Sequence, residues 1–344
     1  MRQYLEFVLT ELRSNRPVVS AVIVSSSGST PRSTGSRMAV ARDGAAKGTV
    51  GGGPAEALAQ KEAMGVHASQ RSTLLELDLT GKQAAEAGMI CGGRQEILIE
   101  HLPATSETLE LVDTLLSHWD AGQPSVLCTA FTHDATSATI LSRTLDPATL
   151  PADLPEPLLQ EVGKRAASTR LPFARSESGV TLLVEPIRSP GTVFIAGAGH
   201  VGQATAALCA FTGFTTVVLD DREDFLSEER LPQASQLHLV RGFEDCFNNL
   251  EVRPDGFIVI LTRGHVHDRN VLAQALQTPA RYIGMIGSTR KRDAIYRSLQ
   301  ENGVSQTELD RVHCPIGLSI GADTPEEIAV SIVAELINAR ANAC

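Results

Sequence analysis

One stretch, residues 191–222, constrains the fold more than any other part of the chain. It reads GTVFIAGAGHVGQATAALCAFTGFTTVVLDDR. The apolar residues 193–196 predict a buried parallel strand, because both faces of such a strand are covered. Residues 197–202 then fit the G-x-G-x-x-G pattern, a helix follows, and a second apolar strand ends at Asp220, 23 residues after Gly197. Strand, glycine turn, helix, strand and acid in this order predict a dinucleotide-binding or phosphate-binding unit of the Rossmann type.

Each glycine of this pattern has a physical task. Gly197 permits the tight turn, Gly199 lets the backbone approach a pyrophosphate, and Gly202 lets the helix pack closely on the strand. The helix N-terminus supplies amide donors and partial positive charge, and Asp220 is placed to accept hydrogen bonds from ribose hydroxyls. The alternative is a Rossmann turn whose binding site has decayed.

Length and composition restrict the class of protein. A chain of 344 residues predicts two domains, or one large one. A formal charge of −10 argues against nucleic acid as the main partner, since phosphate backbones require a basic surface. No apolar run is long enough for a membrane span, and residues 1–16 form an amphipathic pattern unlike a signal peptide. The six cysteines contain no C-x-x-C pair, so we expect neither a disulfide framework nor a structural zinc cluster. This use of cysteine is typical of a protein of the reducing cytoplasm.

The pattern of strands and helices gives the fold class. We predict an α/β protein, with a Rossmann-like doubly wound parallel sheet in residues 189–344 and an α+β domain in residues 1–188. After Asp221 the strands and helices alternate, including a short helix over residues 243–250. A final helix begins with a capping box at Thr324 and Glu327. Because ligands bind beyond the carboxyl ends of parallel strands, Asp220 and the loops 262–268 and 287–291 should share one rim with Gly197.

Two of these loops, and one cysteine in the N-terminal half, carry candidate chemistry. The sequence RGHVHD at 263–268 offers a metal site, another ligand contact, or a helix cap at Asp268. Residues 287–291 (GSTRK) combine a glycine, hydroxyls and cations, as a phosphate clamp or as a polar turn. Cys91 is surrounded by glycines, which leaves its sulfur approachable for nucleophilic or soft-metal chemistry; the alternative is a small residue packed under a turn. Two further glycine loops lie at 28–37, with Arg32 and Arg37, and at 48–53. They can cradle an anionic ligand, or they are glycine-rich only as many loops are.

Taken together, these motifs resemble the XdhC/CoxI family, the accessory proteins of xanthine dehydrogenase and related molybdenum hydroxylases. The resemblance covers nearly the whole chain. Its ordered blocks are GSTPRSTGSRMAV (28–40), GTVGGGPAEA (48–57), MICGG followed by RQEILIE (89–100), AGAGHVGQA (196–204), VVLDDRED (217–224), RYIGMIGSTRKR (281–292) and PIGLSIGADTPEEIAVSIVAELI (315–337).

The resemblance implies a maturation factor without turnover of its own. Such a protein binds molybdenum cofactor, as molybdopterin alone or in a dinucleotide form, and assists its sulfuration and insertion into a xanthine dehydrogenase-like hydroxylase. A cysteine desulfurase is an implied partner, and we expect a homodimer. Cys91 is then the candidate contact to molybdenum. The candidates for the phosphate or nucleotide portion are Gly197, Gly199, His200, Gly202, Asp220, His265, Gly287, Ser288 and Arg290.

The chain departs from the family pattern in two places. Where the family often shows Thr-His-Asp-His, this chain has Thr262-Arg263-Gly264-His265, and the family's doubled arginine is Thr289-Arg290 here. Two other functions stay open. One is an NAD(P)-dependent oxidoreductase that uses the Gly197 turn, although no catalytic pair for hydride transfer is visible. The other is a scaffold that docks desulfurase to hydroxylase and has only vestigial ligand sites.

Overall fold

The computed structural model describes residues 1–28, 30, 32–78, 93–166 and 168–342. They form two compact units, Met1–Arg188 (unit 1) and Ser189–Cys344 (unit 2). Cys91, the candidate molybdenum contact, lies outside the described residues. Within the described residues, no helix is both long and apolar enough to cross a membrane.

Unit 1 is an α+β unit built on two antiparallel sheets. The first sheet has the order β3-β2-β1-β5-β4 and the second has the order β7-β6-β9-β8. The strands are β1 (Val18–Gly28), β2 (Arg37–Val40), β3 (Ala46–Gly48), β4 (Thr73–Asp78), β5 (Gly93–Leu102), β6 (Ser125–His133), β7 (Ala138–Thr144), β8 (Phe173–Glu177) and β9 (Val180–Ile187). The helices are α1 (Arg2–Arg13), α2 (Gly53–Ser69), α3 (Ser106–Asp120) and α4 (Glu156–Arg165).

Small residues bring α2 onto the first sheet. Ala55, Ala59 and Ala63 recur at helical spacing, are buried, and pack with Ile97 and Ile99 of β5. Short side chains on the helix face allow its backbone to approach the sheet closely, and the burial of the isoleucines supplies the driving force. This packing holds the start of α2, and with it the glycine loop at residues 51–53, against the sheet.

Two buried ion pairs connect the two sheets of unit 1. Arg37 of β2 pairs with Glu185 of β9, and Arg143 of β7 pairs with Glu100 of β5. Both carboxylates are buried, so each depends on its arginine for compensation of the lost hydration. Burial alone would lower the pKa of Arg37, but the attraction of Glu185 outweighs it and raises that pKa.

Unit 2 is a doubly wound parallel sheet, as predicted. All its strand pairs are parallel, in the order β12-β11-β10-β13-β14-β15. The strands are β10 (Thr192–Ala196), β11 (Thr215–Asp220), β12 (Gln236–Leu239), β13 (Phe257–Ile260), β14 (Tyr282–Met285) and β15 (Val312–His313). The helices are α5 (His200–Phe211), α6 (His265–Ala275), α7 (Thr289–Glu301), α8 (Gln306–Leu309) and α9 (Pro325–Ala341). Apolar clusters cover both faces of the sheet.

Two local predictions in unit 2 have opposite outcomes. The capping box is present: Thr324 Oγ1 accepts a hydrogen bond from the Glu327 amide at 3.2 Å, and the Glu327 carboxylate accepts one from the Thr324 amide at 3.2 Å. The helix predicted over residues 243–250 is wrong, because this segment forms successive turns. Phe243 and Asn249 adopt φ angles of 58° and 64°, in the left-handed region, which interrupts a right-handed helix.

Candidate functional site

The glycine turn after β10 is fixed by close backbone contacts at two of its three glycines. Gly197 has φ 118°, and a Cβ there would lie 2.4 Å from the Leu261 carbonyl oxygen. A Cβ at Gly202 would lie 1.9 Å from the Gly197 carbonyl oxygen. At Gly199, by contrast, a Cβ would meet nothing within 4 Å. The first and third glycines therefore serve packing, and the second leaves open space above the turn.

The open space at Gly199 lies directly before the start of α5. Gly199 is the N-cap residue and the helix begins at His200. The Gln203 amide donates to the Gly199 carbonyl at 2.8 Å, which closes the first turn of the helix. The amides that precede it have no partner within an α-helix, so with the helix dipole they are available to an anion. Gly199 and His200 thus lie at the start of α5, and their contact with a ligand stays a prediction.

Asp220 holds the turn together. Its side chain is 1% exposed, and Oδ2 accepts a hydrogen bond from the Ala198 amide at 2.7 Å. Arg222 donates to the same carboxylate through its amide (3.0 Å), Nε (2.8 Å) and Nη2 (3.0 Å). Burial alone would raise the pKa of Asp220, but the hydrogen bonds from Arg222 and Ala198 outweigh it and hold that pKa below its usual range. Both oxygens are used within the chain, so the ribose contact stays a prediction that would require Arg222 to move.

The residues after Asp220 form a second layer at this rim. Asp221 accepts a hydrogen bond from Arg263 at 3.0 Å, which joins the ends of β11 and β13. The guanidinium of Arg222 lies 3.5 Å from the ring centre of Phe225, and that of Arg230 lies 4.5 Å from the same ring. Cation–π contacts of this kind fix the arginines in place. The rim predicted from the strand order is therefore assembled in the structure.

Asp268 forms a buried ion pair rather than a helix cap. It lies in the first turn of α6 but is not the capping residue, which is Gly264. Its side chain is fully buried, Thr262 Oγ1 donates to Oδ1 at 2.6 Å, and Lys291 pairs with Oδ2. The pair connects the first turn of α6 to the first turn of α7. It fixes the relative positions of the segments 262–268 and 287–291, which we predicted to lie at the same rim.

The two histidines of the RGHVHD segment point into different surroundings. His267 packs against the ring of Phe243, with ring centres 5.3 Å apart, and its Nδ1 atom is buried. His265 is exposed and lines a cleft between α6 and α7. Among the described residues, no group of three or more His, Cys, Asp or Glu side chains is arranged to hold a metal ion.

This rim cleft has a volume of about 710 Å³ and is the candidate ligand site of unit 2. Its lining residues are Gly264, His265, Val266 and Arg269 from the α6 side and Ser288, Arg290, Lys291, Ala294, Ile295 and Ser298 from the α7 side. It combines cations and hydroxyls with an apolar wall. None of these lining residues is acidic, so the cleft favours an anion that carries an apolar or aromatic portion.

The residues of the GSTRK segment differ in how far their side chains are engaged within the chain. Ser288 is the N-cap of α7, and its Oγ accepts a hydrogen bond from the Lys291 amide at 3.3 Å. Gly287 has φ 154°, and a Cβ there would lie 2.9 Å from Lys291 Cδ. Lys291 is paired with Asp268. Arg290 is exposed, and its side chain has no hydrogen bond or ion pair with any residue in the described part of the chain. It is the cation of this segment that is available to a ligand.

Several contributors to the site had no clear sequence signal. Arg269 and Ser298 line the rim cleft, and Arg269 donates to Ser298 at 3.4 Å. Both lie inside helices, where a cation or serine usually indicates only a solvated face. The Asp268–Lys291 pair joins residues from separate segments, and only the shared rim predicted from strand order indicated their proximity. Arg222 follows Asp220 by two residues, but no sequence pattern shows that its guanidinium donates to the Asp220 carboxylate.

The cysteines within the described residues differ in character from the reactive thiol predicted at Cys91. Cys128, Cys209 and Cys246 are buried and Cys314 is half-buried. Burial raises their thiol pKa values, to about 11 for Cys128, Cys246 and Cys314 and to about 12 for Cys209. These thiols are protonated at neutral pH and are poor nucleophiles.

The fold and the glycine turn define unit 2 as a Rossmann-type unit, preceded in the chain by an α+β unit. Comparison with protein families extends this description. Residues 193–336 match the XdhC Rossmann domain, and residues 11–78 match the XdhC and CoxI family. The chain belongs to the XdhC and CoxI family, which confirms the resemblance seen in its motifs.

Three known relatives show how far the similarity extends. The chain is 37% identical over 147 residues to the uncharacterized protein YqeB of Escherichia coli K12, covering 43% of this chain and 27% of that protein. It is 28% identical over 187 residues to a probable xanthine dehydrogenase component of Bacillus subtilis 168, covering 54% of this chain and 53% of that protein. It is 23% identical over 345 residues to the molybdenum cofactor insertion chaperone PaoD of E. coli K12, covering 98% and 88%. The chain thus spans about a quarter and about half of the first two relatives.

A solved structure matches the whole chain. The crystal structure of a xanthine dehydrogenase from Bacillus halodurans superposes with a TM-score of 0.75 and 26% sequence identity. The match covers 99% of this chain and 97% of that chain.

Proposed function

We propose that the protein is a molybdenum cofactor insertion chaperone. The observation that carries this proposal is the nearly end-to-end similarity to a molybdenum cofactor insertion chaperone, together with a cationic cleft at the rim of unit 2. The client is a xanthine dehydrogenase-type molybdenum hydroxylase, in keeping with the name of a second relative. The protein acts as a carrier, without turnover of its own, in the cytoplasm.

The residues of the rim suit the cargo chemically. Molybdopterin carries a phosphate, which Arg290 and the amides at the start of α7 would bind in the rim cleft. Val266, Ala294 and Ile295 supply an apolar wall for the ring system. Gly199 leaves space for a close backbone approach, which a dinucleotide form of the cofactor would use. Cys91 is the proposed contact to molybdenum, because a thiolate is a soft ligand.

The geometry of Asp220 favours this carrier over the alternative oxidoreductase. An NAD site of this kind uses the acid at the end of the second strand to accept hydrogen bonds from ribose. In this chain that carboxylate is buried and already accepts hydrogen bonds from Ala198 and Arg222. Binding of a phosphate at the rim does not require the Asp220 carboxylate. Sulfuration by a cysteine desulfurase and a homodimeric state are further parts of the proposal.

The proposal is tested by an Arg290→Gln variant. Each protein is purified from cells that make molybdenum cofactor, and the pterin that it retains is released, oxidised and measured by fluorescence. We expect roughly tenfold less pterin with Arg290→Gln, since a charge-assisted phosphate contact contributes about 1.5–3 kcal/mol. Arg297→Gln is the matched control, because Arg297 is exposed on the same helix and lies outside the rim cleft. Equal pterin in both variants would remove Arg290 from the site.

Cys91 is tested separately through the metal. Cys91→Ala should lower the molybdenum retained per chain, and the melting temperature of each variant is measured beside it so that a loss of metal is distinguished from a loss of fold. Cys314→Ala is the control, since the raised pKa of that thiol makes it a poor metal ligand. Unchanged molybdenum with Cys91→Ala would exclude Cys91 as a ligand.

A further inference from the structure

Unit 1 contains a second cationic cleft, separate from the site proposed above. The glycine-loop cleft is lined by Arg32, Ser36, Arg37, Lys47 and Thr49, among others, and has a volume of about 290 Å³. None of the described residues that line it is acidic. The positive charge of Arg37 is compensated by its ion pair with Glu185 of the same unit. Arg32 and Lys47 have no side-chain hydrogen bond or ion pair with any described residue, so two positive charges face the cleft without compensation.

The backbone that carries these cations is held rigidly. Gly35 has φ 84°, and a Cβ there would lie 2.4 Å from Pro172. Gly48 has φ 93°, and a Cβ there would lie 2.4 Å from the Arg37 carbonyl oxygen. The side chain of Gln95, which is 1% exposed, donates to the Arg32 carbonyl at 3.0 Å. The buried amide of Gln95 fixes the backbone of the exposed Arg32. Less conformational entropy is therefore lost when Arg32 binds a ligand.

Three backbone amides beside the cleft already have partners within the unit. Gly35 donates to Ile23 at 2.8 Å, Ser36 donates to Ser33 at 3.2 Å, and Thr49 donates to Arg37 at 2.9 Å. These three amides are therefore not available to an anion. An anion in this cleft would be bound by the side chains of Arg32 and Lys47, with the Ser36 hydroxyl as a further donor.

We infer that the glycine-loop cleft binds the phosphate group of a small molecule. An arginine and a lysine without compensating carboxylates suit a doubly charged oxyanion, and the guanidinium fork matches phosphate oxygens. A volume of about 290 Å³ lies at the lower end of the range for small-molecule sites. It accommodates a phosphate or pyrophosphate with a small attached group. The inference rests on unit 1 alone and holds whatever unit 2 carries.

The test is a calorimetric titration of the full chain with inorganic pyrophosphate. Arg290→Gln serves as the parent background, so that the rim cleft of unit 2 contributes little to the signal. Arg32→Gln and Lys47→Gln are each added to that background. The matched controls are Arg42→Gln and Lys61→Gln, which remove exposed cations of the same unit outside the cleft.

We expect the parent to bind one pyrophosphate per chain in unit 1. Arg32→Gln and Lys47→Gln should each weaken this binding roughly tenfold or more, and the two controls should change it by less than about twofold. The affinity should also fall as salt is added, because the contacts are ionic and partly exposed. Absence of pyrophosphate binding in the parent would overturn the inference. Equal affinities for the cleft variants and the controls would also overturn it.

Discussion

The buried ion pair between Lys291 and Asp268 predicts an unequal effect of removing its two charges. The carboxylate of Asp268 is fully buried, whereas the Lys291 side chain is 26% exposed. Lys291→Met leaves a buried carboxylate with one hydrogen bond, from Thr262. Removing one partner of a buried ion pair lowers the free energy of unfolding by about 3–5 kcal/mol. Because Lys291 is partly exposed, we expect a loss of about 3 kcal/mol for this variant. Asp268→Asn leaves an ammonium that can reach water, so we expect it to cost only about 1 kcal/mol.

The assay is hydrogen exchange of the buried amides of β13 and β14, which flank the pair. A loss of about 3 kcal/mol corresponds to exchange that is faster by roughly two orders of magnitude under equilibrium conditions. The double variant should cost less than the sum of the two single variants, by at least about 1 kcal/mol. The reasoning would be refuted if Asp268→Asn destabilised unit 2 as much as Lys291→Met, or if the two effects were additive.

Two further predictions concern the glycine turn and the acid that supports it. Gly202→Ala places a methyl group against the Gly197 carbonyl oxygen and should cost about 3 kcal/mol or more in thermal unfolding. The free energy of unfolding of Gly199→Ala should lie within about 0.5 kcal/mol of that of the parent, yet this variant should retain less pterin. Equal pterin retention would contradict the binding of a ligand at this turn. Asp220 has a lowered pKa, so its stabilisation is present above its unfolded-state value near 4 and is lost as the pH falls through the folded-state value. Asp220→Asn should therefore be less stable at pH 7 and show a shallower loss of stability in acid, and an unchanged acid slope in urea unfolding would contradict this role.

The parallel sheet of unit 2 was predictable because several local signals agreed. Apolar runs such as residues 257–260, glycines at the turn and the capping box at Thr324 all indicated the same alternation of strands and helices. Close packing then explains why Gly197 and Gly202 are glycines. The alternation of strands and helices also predicted a parallel sheet in which the loops after β11, β13 and β14 share one rim.

The errors occurred where tertiary contacts decide the local conformation. Residues 243–250 have helical composition, but Phe243 is buried in the core at a positive φ angle and the segment turns instead. No sequence signal predicts β3, β8 or β15, which are short strands with little alternation of apolar and polar residues. The sequence leaves Asp268 open as a helix cap, metal ligand or ligand contact, because no sequence pattern shows that Lys291 reaches it. The roles proposed for Cys91, Arg290 and the other site residues stay predictions.

The most direct test of the central proposal is the molybdenum and pterin content of the purified protein. The protein is isolated from cells that make molybdenum cofactor, molybdenum is measured by mass spectrometry and pterin by fluorescence, and the cofactor-free protein is titrated with NAD in parallel. The proposal predicts molybdenum and pterin near one per chain, with no measurable NAD binding. Tight NAD binding, with neither molybdenum nor pterin, would contradict the chaperone and favour the oxidoreductase.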